Sequence, residues 1–443
     1  MIFFCALPLR VGAQGTGTNP PIGTMSYLDN GQIRIGVDLG LGGAITYLSK
    51  SGSDENVINS ADKGREVQMS FYSGPVPFTP HGKQPVGYWA ALGWNPIQCG
   101  DAFGHTSRII ENHNDGQEIY VKCVPLQWPL DSEPGECTFE TWIRLEGRSA
   151  HVASRIVNHR SDHTQYPAYR QELPAVYTNG PWYRVMTYQG NKPYTGDTLT
   201  QVPQGPGLKF PAEYQATENW TALVNDAGWG IGVWEPGVYY FKGGFSGPPG
   251  SGGPHDAPTG YISPTYKEIL DADITYGYHY VLILDTMDGI RHYVYQHATA
   301  PTPPDYRFST DRQHWSYANA SDAGWPIHDE LKVTLDQNDP QMLGPDGLWP
   351  ASQAPKLYIQ AAFHTPPGIG QIFWKRADAP EFSASRCLSF PLIPDDKYHT
   401  YVIDLSASPE YTGTITGLRF DPEPVGRPGD YVRVRSISFR KPD

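Results

Sequence analysis

Short runs of alternating apolar and polar residues fill this chain. Residues 358–440 hold the densest series: 358–363, 371–374, 387–390, 398–405, 415–422 and 432–439. Gly, Pro, Asp or Ser bounds each run. Alternation turns every second side chain to the same side, so these runs predict antiparallel strands with one buried face. The same habit recurs upstream at 33–37, 42–48, 67–72, 118–122, 137–145, 151–158, 221–224, 229–234 and 276–284. No window reads as a long amphipathic helix, and 47 Gly with 42 Pro supply turns throughout. The expected class is all-β: a large antiparallel β-supersandwich followed by a β-jelly roll. No repeat of fixed period occurs, which disfavours a propeller or solenoid.

Residues 299–305, Thr-Ala-Pro-Thr-Pro-Pro-Asp, form the clearest spacer, since its prolines favour an extended chain. The expected division is a first domain over 24–299, a Pro-rich linker over 300–306 and a second domain over 307–443. Residues 1–13 read as a truncated signal peptide, with Val11-Gly-Ala13 as a small-residue cleavage pattern. A disordered tail with no targeting role is the alternative. An exported protein, secreted or periplasmic, is therefore expected. No other segment is long and apolar enough to span a bilayer, so membrane insertion is not expected.

The formal net charge of −13 argues against nucleic acid as partner, because phosphate binding needs a basic face. It argues more weakly against anionic polysaccharides, since a local cationic cluster can oppose the global charge. Twelve Trp and 28 Tyr suit stacking on sugar rings, although strands also favour these residues. Of five Cys, Cys5 falls in the leader. Cys123 and Cys137 flank a turn-rich segment and could pair across a hairpin in an oxidising compartment. The chain lacks CxxC, HxH and HExxH spacings, so neither a metal nor a cofactor is expected.

Two resemblances sharpen this reading. Residues 399–405, His-Thr-Tyr-Val-Ile-Asp-Leu, followed by residues 413–422, Gly-Thr-Ile-Thr-Gly-Leu-Arg-Phe-Asp-Pro, resemble the jelly-roll carbohydrate-binding modules of secreted bacterial glycosidases and lyases. The first domain resembles the galactose-mutarotase-like β-supersandwich through Gly42-Gly43, Asn56, Asn59 and Gly64-Arg65. In that superfamily such positions line a sugar cleft. The ordered His and carboxylate pattern of true aldose epimerases is missing, so the resemblance implies a carbohydrate setting without implying mutarotation.

Chemistry-bearing residues concentrate at 158–177, where His159, Tyr166, Tyr169, Arg170 and Glu172 crowd together. Cleaving a glycosidic bond needs a proton donor at the leaving oxygen and a second group at the anomeric carbon. Glu172 is the preferred carboxyl, and Arg170 shares its face if the segment is extended. A plain Arg–Glu pair tying two strands together is the alternative. Asp101 and His105 form a second possible acid/base pair beside Trp94, unless Asp101 merely organises an Asx turn. The expected catalytic set is Glu172, Asp101, His105 and Arg170. The expected substrate-binding set is Asn59, Arg65, Gln68, Trp94, His159, Tyr166, Tyr169 and Trp182. These residues predict an exported enzyme that hydrolyses glycosidic bonds of a polysaccharide or oligosaccharide. The alternatives are a polysaccharide lyase, using His105, His159, Tyr166 and Arg170, and a non-catalytic glycan-binding protein.

Overall fold

The computed structural model describes residues 24–204 and 212–442. The leader expectation at residues 1–13, with Cys5, lies outside the described residues. The chain forms two compact units. The first takes the described residues of Met1–Ser161, Gln171–Thr265 and Thr275–Ala298; the second takes those of Asp162–Arg170, Tyr266–Ile274 and Thr299–Asp443.

Among the described residues of the first unit, strands build a ten-stranded and a nine-stranded sheet. The spine of the first sheet runs Met25–Asp29, Ile33–Asp38, Ala44–Lys50, Val67–Ser70, Tyr169–Asn179, Thr259–Glu268, Tyr240–Ser246 and Ala212–Gln215. The second centres on Trp229–Trp234, Thr275–Thr286, Ser149–Asn158 and Cys137–Glu146. Neighbours pair antiparallel, as in the ladder of Ser149 with Glu146 through Asn158 with Cys137. The all-β expectation is met.

The faces of the two sheets meet through Phe71, whose ring lies 5.5 Å from Phe139 and 6.3 Å from Tyr278. Thr141 Oγ1 also reaches Met69 Sδ. Val67, Met69 and Phe71 are therefore core residues, and alternation turns Gln68, Ser70 and Tyr72 to the opposite face. The Gly42-Gly43 pair has a steric reason. Both have positive φ, and a Cβ on Gly43 would stand 2.3 Å from Val121 Cγ1.

The sequence reading missed the helix Met287–His297. Thr286 caps it by accepting from Gly289 N, and it buries only Ile290 and Val294. Two inward positions four residues apart suffice to seat it on Trp220, Trp234, Val281 and Ile283, but they make a faint periodic signal. The proposed Cys123–Cys137 pairing is also corrected: both are buried free thiols. They do lie on neighbouring strands, but Cys123 stands opposite Phe139, two residues out of register with Cys137.

The second unit is a sandwich of two antiparallel sheets, each of six strands among the described residues. One contains Lys356–His364 and Tyr431–Ser438, the other Ile369–Arg376 and Thr414–Asp421. Their inner faces merge Ile359, Phe363, Val432 and Val434 with Ile372, Trp374, Ile415 and Phe420. Trp374 is wholly buried, while Phe373, on the other face, is covered by the Arg419 guanidinium at 4.5 Å.

The Pro-rich stretch begins the last piece of this unit, but the unit also claims residues 162–170 and 266–274. A buried polar knot fastens them. Arg312, 5% exposed, contacts Asp271 at 2.6 Å and Asp322 at 2.5 Å. Gln165 Nε2 donates to Asp271 at 3.1 Å and to Asp322 at 2.7 Å. Ile269 joins the apolar core. Tyr166, Tyr169 and Arg170 thus belong to the second unit, and Glu172 to the first.

Candidate functional site: a carboxylate held by tyrosines

Glu172 stands opposite Ser70 in the ladder between Tyr169–Asn179 and Val67–Ser70. Cross-strand partners share a face, so Glu172 joins Ser70 on the side of the ten-stranded sheet turned away from the core. The ladder slips between Glu172 and Ala175. Pro174 lies within that irregularity, where a missing N–H breaks no ladder bond. Past the slip, Ala175 faces Gln68 and Val176 faces Val67.

The Glu172 side chain is nearly enclosed, at 5% exposure. Tyr72 Oη donates to Oε2 at 2.9 Å. Tyr261 Oη, from the adjacent strand Thr259–Glu268, donates to Oε1. Ser70 Oγ donates in turn to Tyr72 Oη at 3.1 Å. The Tyr177 ring packs 4.9 Å from that of Tyr261. Burial first, and then the Glu172 carboxylate, push all three phenols well above the usual tyrosine range. They are therefore hydrogen-bond donors at neutral pH and not phenolate bases.

Glu66 continues this face. It is wholly buried and holds φ at 71°, in the left-handed region. Gln68 Nε2 and Cys99 Sγ donate to its Oε2 at 3.1 and 3.2 Å. Its Oε1 has no partner among the described residues. Burial pushes the Glu66 carboxyl well above the usual range. On the far side, Lys242 stands opposite Ser263 in the ladder with Tyr240–Ser246, two residues from Tyr261. Tyr177 and Lys242 are the partly exposed members of the group. This face thus carries carboxyls, phenols, hydroxyls and one ammonium.

The other expected residues fall elsewhere. Asp101 accepts from Phe103 N, His105 N and Ser132 N at 2.8–2.9 Å, and meets His105 Nδ1 at 2.9 Å. That is an Asx turn ordering its own loop. Asp101, His105 and Asp131 bring metal-ligating atoms together, but the Asp101 oxygens already serve three backbone N–H groups. Trp94 is wholly buried with the Arg160 guanidinium 5.8 Å from its ring, so it offers no open stacking surface. Asn59 and Arg65 bind the backbone at Asp256 and Ala257, and Gln68 donates to Lys63 O and accepts from Cys99 N. These three fasten loops around the sheet.

His159 is exposed, and its N–H donates to Glu136 O. Trp182 is 2% exposed and packs 6.0 Å from Trp229. Within the second unit, Tyr166 Oη donates to Asp162, Tyr169 is half-buried, and Arg170 pairs with Asp346 at 3.3 Å. The ion pair found for Arg170 is thus with Asp346.

Tyr177 lay within the crowded sequence segment, while Tyr72 and Tyr261 were overlooked. The one signal for Tyr261 was alternation in Thr259-Gly-Tyr-Ile-Ser263, which puts a phenol between two hydroxyls on one side of a strand.

No family model matches the chain, and no curated protein matches it in sequence. Among solved structures, it is similar to a galactose mutarotase related enzyme from Lactobacillus acidophilus, at 14% identity and TM-score 0.38, over 59% of this chain and 97% of that one. It is similar to a galactose mutarotase-like protein from Lactobacillus casei, at 12% identity and TM-score 0.38, over 59% and 99%. It is also similar to a 4-alpha-glucanotransferase from Thermococcus litoralis, at 11% identity and TM-score 0.33, over 59% of this chain but 37% of that one.

Proposed function

We propose that this chain is an exported carbohydrate-active enzyme that hydrolyses glycosidic bonds of a polysaccharide or oligosaccharide at the outward face of the ten-stranded sheet. The observation that carries the reading is Glu172, nearly enclosed and fixed by a phenol on each carboxylate oxygen. Tyr72 and Tyr261 hold it in one orientation, as positioning residues. Hydrolysis by two carboxyls needs an acid beside the base or nucleophile. On this face Glu66 is the carboxyl whose pKa burial pushes upward, and we assign it the acid role. The second unit, whose enclosed carboxylate Asp322 is taken up by Arg312, Tyr317 and Gln165, serves to bind or orient glycan.

Elimination is the weaker reading. A tyrosine base for a lyase works best with a lowered pKa, and the phenols beside Glu172 are shifted upward. Incubating the full chain with a panel of polysaccharides tests both readings. New reducing ends without near-ultraviolet absorbance, lost on Glu172→Gln while far-ultraviolet circular dichroism is unchanged, are expected. Unsaturated products would replace hydrolysis by elimination. Full turnover in Glu172→Gln would remove Glu172 from the mechanism.

A further inference from the structure

A concavity opens in the first unit, lined by residues other than the Glu172 group. It holds about 400 Å³ and lies among the turn residues Gly31 and Gln32, Lys50 at the end of its strand, Arg148, Trp229, and Asp285 with Thr286. Its chemistry is unusual for so acidic a chain. Trp229 is partly exposed and presents a ring face. The Lys50 ammonium hovers 4.3 Å from that ring, with no carboxylate partner among the described residues. Arg148 is anchored to Asp285 by a 2.7 Å ion pair, yet its side chain remains 61% exposed. One carboxylate thus faces two cations in a protein of net charge −13.

We propose that this concavity is a binding subsite for a single carboxylated sugar, a uronic acid residue of a glycan. The proposal rests on the carbohydrate reading above and adds a substrate class to it. Trp229 supplies a flat apolar surface of the size of one pyranose ring. An ammonium lying on a partly exposed indole is held weakly and is free to prefer a true counter-charge. A sugar carboxylate gives Lys50 that partner, and as Lys50 turns toward it the Trp229 face is uncovered for the ring. Arg148 keeps N–H groups beyond those used by Asp285, and Gln32 offers an amide to ring hydroxyls. Asp285 stays paired with Arg148, which shields the incoming carboxylate from it. A neutral sugar gains the ring face but leaves Lys50 uncompensated, so the site discriminates by charge. The cost of the chain's overall negative charge is met locally, because short-range cations dominate within a Debye length.

Ligand-observed NMR on the full chain, with methyl β-glucuronide and methyl β-glucoside as probes, tests this. The glucuronide is expected to bind at least tenfold more tightly than the glucoside. Lys50→Met is expected to erase that preference, and Trp229→Ala to weaken both ligands at least tenfold. Lys50 is exposed, so its variant is expected to keep the parent circular dichroism. Lys50→Met covers the case in which Trp229→Ala fails to fold. Equal binding of the two glycosides, or glucuronide binding unchanged in Lys50→Met, overturns the subsite. So does inorganic sulfate competing as well as the glucuronide, since that reports bare anion binding. Binding is read without turnover. Loss of hydrolysis in Glu172→Gln, or the absence of any hydrolysis, therefore speaks to the catalytic reading and leaves the subsite to stand or fall alone.

Discussion

Glu423 offers a stability test whose size follows from its surroundings. It is 6% exposed in the second unit, and its Oε1 has no partner among the described residues. Burial, reinforced by Asp430 and opposed by Arg427, raises its pKa from 4.5 to about 7. A carboxyl whose folded pKa lies above its unfolded value binds its proton more tightly in the native state. Its contribution is complete below pH 4.5 and is lost as pH climbs through 7. At about 1.4 kcal/mol per pKa unit, that loss is about 3 kcal/mol by pH 8. Glu423→Gln keeps the shape and removes the titration. Hydrogen exchange of the strand Thr414–Asp421, compared between parent and variant at each pH, reads the difference directly. Near pH 4.5 the two are expected to match. At pH 8 the variant is expected to be better protected by about 3 kcal/mol. A difference that is flat with pH, or a parent that gains on the variant as pH rises, refutes the argument.

Two further outcomes follow from the buried groups. Replacing Asp271 by Ala leaves Arg312 with Asp322 alone, and about 2–3 kcal/mol of the second unit's stability is expected to go, somewhat less than for a buried charge left wholly unpaired; unchanged urea-dependent exchange in that unit would show that the knot contributes nothing. Glu66→Gln is expected to lower turnover of natural glycans by 10²-fold or more while sparing aryl glycosides whose leaving groups need no proton; equal retention of both would reduce Glu66 to a structural role.

Period-two alternation reports which side of a strand a residue faces, and that much of the fold was legible. Val67, Met69 and Phe71 could be set against Gln68, Ser70 and Tyr72 from the sequence alone, and Glu172 could be placed on a strand. Alternation says nothing about register or about which strand lies alongside. Tyr72 and Tyr261 are 100 and 89 residues from Glu172, so the cage could not be drawn from the 158–177 segment however crowded it looked. The same gap hid Asp346 as a partner of Arg170, because it lies 176 residues away. It also misjudged Cys123 and Cys137, which occupy adjacent strands two positions out of step.

The division of the chain shows this limit most sharply. A Pro-rich spacer is a local signal, yet Asp305–Arg307 at its end is a strand of the second unit, paired with Tyr431–Ser438. The membership of residues 162–170 in the second unit rests on Gln165 reaching Asp322 across 157 residues, which no local signal carries. In a protein built from antiparallel strands, local chemistry therefore nominates residues, and register decides which of them meet. Glu172 gained its partners that way: Ser70 directly across the ladder, Tyr72 two residues beyond it, and Tyr261 on the next strand. A search for such sites is better conducted over residues sharing a face on adjacent strands than over residues crowded in sequence.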